Sequence, residues 1–411
     1  MERVSPEQLA ELAAEAGERW SVPGLAVGVL QDGEVVMAAD GQRELGRPEP
    51  VTAEAVFRIA SITKTFTATL AMTLVQDGLI ALDEPPPATR VEATVRQLLS
   101  HQGGLAAEWP EGLDDSGLLE LTEAEPKRLP VEAGELFSYC NSGFWFVAAG
   151  IARTLGTSFD DAMRTRVIEP LGLASTAFEA ADPARGHEQV EPGADKHAPA
   201  EAWYPRGRSS SGGLWSSVPD VLRFAEHHLG GPGPLTAASV AEMRRACCYG
   251  PGFGYGLGWF LKRRQGHDVA EHFGSTLGFQ SLLTLVPRER VAFASLTNSS
   301  RGLAAIRDVL HGIGLGDDET ASAEAADLAR FAGRYRGQEF VVELTQDNGL
   351  LRVERTEIDP FGPEATVLPT VRARPIGESE FEIVDGEWRG ERFDFPRPGF
   401  VRIDLRLLQA E

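Results

Sequence analysis

The sequence predicts an α/β domain, an antiparallel sheet flanked by helices with an inserted, mostly helical subdomain, followed by a small all-β domain. Three observations predict it. Strand-like runs stand near the start ("GLAVGVLQDGEVVMAADG") and again from "GYGLGWFL" to "RVAFASLTN". Between them, from about 82 to 205, helical periodicity alternates with loops rich in Pro, Gly and charge. From 327 to 411, apolar and polar residues alternate as they do in antiparallel strands. Sheet at both ends of a unit with helices between them is the pattern of one α/β unit carrying an insertion.

The elements follow in order. Ser5-Pro6-Glu7 opens an amphipathic helix running to about residue 18, with serine as cap and proline in the first turn. Asp32-Gly33 joins two β-rich runs as a hairpin. A helix is expected from Ser61 to Asp77, stopped by a left-handed Gly78. In the insertion, "TVRQLLSHQGGL" and "NSGFWFVAAGIARTLG" read as helices, and "FEAADPARGHEQVEPGADKHAP" as loop. "SVPDVLRFAEHHL" and "TAASVAEMRRA" are helical; "GYGLGWFL", "HDVAEHFG", "GFQSLLTLVP" and "RVAFASLTN" are strands; "GLAAIRDVLHGI" is a closing helix. "GLGDDETASAEAAD", about 313–326, is a polar linker, so the expected domains are 1–316 and 327–411.

Length and charge exclude several function classes. At 411 residues the chain suggests more than one structural unit. A net charge of −22 argues against nucleic acid or anionic membrane as partner, because phosphates are repelled. No apolar run reaches the roughly 18 residues of a membrane span, and the charged N-terminal stretch lacks a signal-peptide core. The three cysteines, Cys140, Cys247 and Cys248, are an odd number that fits a reducing compartment, so the chain reads as cytoplasmic. Cys140 reads as a small buried thiol rather than a nucleophile. The scattered histidines, His227-His228 among them, show no metal-binding spacing.

Chemistry concentrates in three segments. The chain has four lysines, and one of them, Lys64, is the only charged residue between Ser61 and Gln76. A helix apolar nearly all round is a buried helix, and residues three apart share a face, so Ser61 and Lys64 are expected within hydrogen-bonding reach. Burial and the positive end of the helix dipole both disfavour the ammonium, leaving an amine able to take the serine's proton. The second segment is "GELFSYCNSGFWFVAAGIA": Tyr139 could exchange a proton with a neighbouring lysine, and Asn141 could hold that lysine or bind a substrate amide oxygen. The third is "EHFGSTLGFQSLLTLV", where glycine admits close approach to a strand edge whose N–H could serve an oxyanion. Each has an ordinary structural reading: a capping serine with a surface lysine, a capping asparagine beside a packed tyrosine, a packed histidine before a turn.

Taken together and in this order, the segments resemble the serine β-lactamase-like superfamily, which includes class C β-lactamases, D-Ala-D-Ala carboxypeptidases, D-aminopeptidases and family VIII carboxylesterases. The S-x-x-K, Y-x-N and K-T-G or H-x-G motifs stand here as Ser61-Ile62-Thr63-Lys64, Tyr139-Cys140-Asn141 and His272-Phe273-Gly274. "DGLIALDEP", "VRQLLSHQGGL", "VIEPLGLASTAF", "SSSGGLWSSVPDVLRFA" and "GYGLGWF" are similar to further family landmarks, over about residues 8–313. The resemblance implies a β-lactamase-like fold, with Ser61 as nucleophile, Lys64 as its proton acceptor and Tyr139 as general acid or base. It also implies Asn141, His272, Gly274 and Ser275 at the substrate, an oxyanion hole from the Ser61 and Ser275 N–H groups, and no metal or organic cofactor. It implies nothing about oligomeric state. Where β-lactamases usually carry a lysine that holds the substrate carboxylate, this chain has His272, mostly neutral at cytoplasmic pH. The expected activity is therefore acyl-enzyme hydrolysis of small carboxylic esters or amides, with weak or no β-lactamase activity. The alternatives are a D-aminopeptidase or D-alanyl-D-alanine carboxypeptidase, and a non-catalytic binding or regulatory protein that keeps the fold.

Overall fold

The computed structural model describes residues 1–107, 117–121, 123, 125–190, 196–200, 204–318, 323, 327–358, 365–386 and 388–411. Parts of the loop after Leu105 and of the expected 313–326 linker thus lie outside the described residues.

Helix α1 (Pro6–Arg19) begins where Ser5 Oγ accepts the Gln8 N–H at 3.1 Å. Proline sits at its start, where a missing N–H leaves no intrahelical bond unmade. Strands β1 (Gly24–Gln31) and β2 (Glu34–Gly41) follow, and the Asp32-Gly33 turn takes φ of +53° and +79°. That mirror-image turn matches the twist of the two strands. Helix α2 (Thr63–Gln76) is buried from Thr63 to Leu74, and Gly78 ends it at φ +70°. Helix α3 (Asn141–Leu155) packs on α2, whereas α4 (Val218–His228) and α5 (Gly302–Gly312) pack on the sheet.

The sheet is antiparallel throughout. It adds β3 (Cys248–Gly250), β4 (Phe253–Tyr255), β5 (Phe260–Arg264), β6 (His267–Thr276), β7 (Phe279–Val286) and β8 (Val291–Thr297), in the order β2-β1-β8-β7-β6-β5-β4-β3. Strand alternation divides the core in two. Leu25, Val27 and Val29 pack with α1 and α5, whereas Ala26 and Leu30 pack with α2 and α4. Both faces of β1 are therefore covered, which is why its sequence is almost continuously apolar.

Two readings change. "GYGLGWFL" is two strands, because Gly258 at φ +79° turns the chain onto α2: a Cβ there would sit 3.1 Å from the Lys64 carbonyl oxygen. The segment read as loop near 187 pairs His187–Gln189 with His197–Pro199, anchored by a buried His187 whose N–H bonds the Asn298 carbonyl at 3.1 Å.

The C-terminal strands run from β9 (Gly333–Arg336) to β17 (Arg406–Ala410). Between them lie β10 (Phe340–Asp347), β11 (Leu350–Ile358), β12 (Ala365–Val367), β13 (Val371–Pro375), β14 (Glu380–Ile383), β15 (Arg392–Arg397) and β16 (Phe400–Ile403). Their order is β10-β9-β17-β16-β15-β14-β13-β11-β12, and an additional β10–β11 pairing closes the sheet into a barrel. Closure removes the exposed edges that an open sheet of this size would leave. Its interior is Phe331, Val342, Leu344, Val353, Phe381, Phe393 and their neighbours.

Candidate active site

Ser61 lies in a single 3₁₀ turn, Ala60–Ile62, that leads into α2. The residue before it, Ala60, is buried at φ +45°, a conformation that costs a non-glycine residue of order 1 kcal/mol and persists only under firm packing. The packing is present: the Ile59 N–H bonds the Leu214 carbonyl at 3.0 Å, and the Ile59 carbonyl accepts the Ser281 hydroxyl at 2.9 Å. One turn on, Lys64 is 0% exposed, and its Nζ donates to Ser61 Oγ at 3.1 Å and to the Ser211 carbonyl at 2.7 Å. The threonines of α2 fasten this helix to the chain that supplies Ser211. Thr67 donates to the Ser210 carbonyl at 2.7 Å, and Thr63 accepts the Leu214 N–H at 3.2 Å.

Lys64 Nζ stands 4.8 Å from the centre of the Tyr139 ring. Tyr139 is carried by the extended chain entering α3, whose first residue is Asn141, and in that chain three consecutive N–H groups find partners outside any helix. Ser138 N–H bonds the His101 carbonyl at 2.9 Å, Tyr139 N–H bonds the Leu405 carbonyl at 2.8 Å, and Cys140 N–H bonds His101 Nδ1 at 2.9 Å. The middle bond comes from the C-terminal barrel. Its β16–β17 turn, Asp404-Leu405 at φ +50° and +62°, reaches the Tyr139 segment. Arg406 then lies with Cζ 4.7 Å from the Tyr139 ring centre, its Nε bonded to Glu339 at 3.2 Å. Leu407 N–H to Ser138 Oγ (3.2 Å) and Arg402 Nη1 to the Phe137 carbonyl (3.3 Å) fasten the same junction.

The third segment is the far end of β6. The close approach that Gly274 permits is made by the Ser61 turn: a Cβ there would lie 2.4 Å from the Ile59 carbonyl oxygen and 3.0 Å from Ala60 Cβ. Ser275, the next residue, is exposed. His272 is 0% exposed, with Nδ1 2.7 Å from the Phe273 carbonyl and Nε2 3.2 Å from Tyr255 Oη. Burial, and the adjacent Lys64 whenever its amine is protonated, push its pKa down to about 3, so the ring is neutral. The side chain expected to face substrate is thus enclosed, with both ring nitrogens engaged.

The structure brings Ser61, Lys64 and Tyr139 into one constellation and sets Gly274 against the serine turn. An alcohol beside a buried amine, next to a phenol and an exposed strand end, is an arrangement for acyl transfer through the serine. Sequence reasoning missed His101, Tyr255 and Arg406. His101 stood inside "VRQLLSHQGGL" and Tyr255 inside "GYGLGWF", both noticed only as landmarks; nothing near Arg406 signalled that a distant hairpin reaches the site.

Comparison with known proteins finds relatives along most of the chain. The family model described as Beta-lactamase matches residues 9–313. Penicillin-binding protein 4 of Amycolatopsis lactamdurans is 31% identical over 357 residues, covering 76% of this chain and 93% of that protein. A D-aminopeptidase of Gluconobacter oxydans is 26% identical, covering 68% of this chain and 56% of that protein. The crystal structure of SurE covers 99% of both chains with a TM-score of 0.77 at 24% identity, a likeness of fold that includes the barrel.

Proposed function

The chain belongs to the β-lactamase family of serine hydrolases, and from that premise we propose that it hydrolyses small carboxylic esters or amides through an acyl-enzyme on Ser61. The observation that carries the reading is the fully buried Lys64 Nζ, 3.1 Å from Ser61 Oγ.

In the proposed sequence, Ser61 Oγ attacks the substrate carbonyl while its proton passes to Lys64 acting as the unprotonated amine. The tetrahedral oxyanion is held by the Ser61 and Ser275 N–H groups. The proton on Lys64 passes through Tyr139 to the leaving group while Asn141 contacts the substrate; water then gives a proton to Tyr139 as it attacks the acyl ester, and that proton returns to Ser61 Oγ as the acid leaves. The neutral, enclosed His272 supports substrates lacking the carboxylate that a charged residue at this position would hold. Weak or no β-lactam turnover follows from the same point. A cytoplasmic location is part of the proposal, supported by three free cysteines. No helix among the described residues is long and apolar enough to cross a membrane.

A second reading, hydrolysis of D-configured amino-acid amides or peptides, is favoured by the D-aminopeptidase among the relatives. The test is turnover of p-nitrophenyl butyrate beside D- and L-alanine p-nitroanilide, each with the wild type and Ser61→Ala. Ester turnover lost in the variant supports the first reading, and turnover of the D-anilide alone supports the second. No turnover of either class, or turnover that survives Ser61→Ala, overturns the assignment.

A further inference from the structure

With His272 neutral, the hydrogen bonds around it admit only one placement of protons. A backbone N–H can only donate and a carbonyl can only accept. Cys140 N–H donates to His101 Nδ1 at 2.9 Å, so that nitrogen bears a lone pair and His101 is neutral, with its proton on Nε2. The Phe273 carbonyl accepts from His272 Nδ1 at 2.7 Å, so Nδ1 carries a proton, and in the neutral ring Nε2 is left to accept. Tyr255 Oη lies 3.1 Å from His101 Nε2 and 3.2 Å from His272 Nε2. It must accept from the first and give its single proton to the second. The chain runs unbroken from Cys140 N–H through His101, Tyr255 and His272 to the Phe273 carbonyl, and every member is satisfied.

We propose that His101 and Tyr255 are positioning residues. Through His272 they form one proton-ordered chain that holds the Tyr139–Asn141 segment in register with the end of β6, and hence with the Ser61 turn. The proposal rests on the reading of Ser61 as nucleophile. Its first end is over-determined: His101 sits at φ +58°, 1% exposed, and binds the segment twice, with its carbonyl at Ser138 and its ring at Cys140. A left-handed histidine enclosed at a site and held on both sides is strain kept for a purpose. Its other end lies two residues before Gly274, the residue packed on Ile59 and Ala60.

The surroundings keep the chain neutral. His101 faces Lys64 and Arg406, with the Tyr139 ring centre 4.2 Å from its own. His272 faces Lys64, Lys262 and Tyr139, and its sequence neighbour Glu271 is already paired with Lys262 at 3.0 Å and Arg264 at 2.6 Å. A proton added to His272 Nε2 would confront the Tyr255 hydroxyl hydrogen and break the order. The cation count at the site therefore excludes position 272.

The test is nitrogen-15 histidine NMR on the full-length protein, with resonances assigned by His101→Asn and His272→Asn. The expected spectrum shows His101 as the Nε2–H tautomer and His272 as the Nδ1–H tautomer, neither titrating between about pH 8 and about pH 5. The reverse tautomer at either ring, or titration in that range, overturns the chain. Kinetics on His101→Asn and Tyr255→Phe test its purpose. Asparagine tolerates the left-handed backbone and can still accept the Cys140 N–H, but is too short for Tyr255. Both variants are expected to remain folded and to lose about 10- to 100-fold in kcat with KM changed less than about threefold, as for a small misplacement of reacting groups. Unchanged kcat in both overturns the positioning role. If ester turnover persists in Ser61→Ala, the functional reading fails instead, and the tautomer result stands apart from it.

Discussion

Gly274→Ala tests the contact that joins strand β6 to the Ser61 turn. The added Cβ would lie 2.4 Å from the Ile59 carbonyl oxygen and 2.4 Å from Ser281 Oγ, where ordinary contact begins at 3.4 Å. Ser281 can rotate away only by surrendering its 2.9 Å bond to that carbonyl, at about 1 kcal/mol. The Ile59 peptide cannot retreat freely, because its N–H is held by Leu214 at 3.0 Å. Strand and turn must therefore part by about 1 Å, an overpacking worth about 1–3 kcal/mol. The same displacement moves Ser61 relative to β6, and an error of that size in reacting groups costs about 100-fold in rate. Urea unfolding and kcat/KM on p-nitrophenyl butyrate are the assays. A variant with wild-type stability and wild-type turnover would refute the packing of the third motif on the serine turn.

Three further outcomes are expected. Lys64→Met should lower acylation by about 10²- to 10⁴-fold, the range of a lost general base, while the protein stays folded. Turnover within threefold of the wild type would remove Lys64 from the mechanism. Arg406→Ala should cost about 1 kcal/mol of contact with the Tyr139 ring and lower kcat/KM about fivefold, with the far-ultraviolet circular dichroism unchanged. An unaffected rate would confine the barrel hairpin to a structural role. Stability should also fall with acid. The folded-state pKa of His272 is pushed from 6.5 to about 3 and that of His101 also well below 6.5, so the unfolded chain binds more protons between those values. Stability is thus fully present above about pH 6.5 and lost as pH falls toward 3, at about 1.4 kcal/mol per pH unit for each histidine. Equilibrium denaturation at pH 7 and pH 5 measures the slope, and equal stabilities would contradict buried neutral rings.

What the sequence made legible was local. The Asp32-Gly33 turn, the Ser5 cap and the buried α2 are each dictated by a few adjacent residues, and the three-residue spacing pairs Ser61 with Lys64 even though Ser61 sits in the 3₁₀ turn before α2, not in the helix expected to start there. The rest depends on contacts between distant segments. Position 272 reads as a substrate contact because only its motif is visible, whereas its burial is set by Tyr255, His101 and the aromatic layer of Phe260 and Phe273. Gly274 reads as room for a ligand, since nothing in one strand reveals that Ile59 will pack there. The β character of the C-terminal region is evident from alternation, but its closure into a barrel is not, and the reach of Leu405 and Arg406 to Tyr139 spans more than 260 residues of chain. "GYGLGWFL" is apolar enough for one strand, and only packing on α2 at Gly258 divides it.

The most direct measurement is intact-protein mass spectrometry after rapid quenching of a p-nitrophenyl butyrate reaction, followed by peptide mapping of the adduct. A butyryl group on Ser61 that accumulates with the wild type and is absent from Ser61→Ala is the predicted result. A butyryl group on any other side chain, formed at the rate of turnover, would contradict the account.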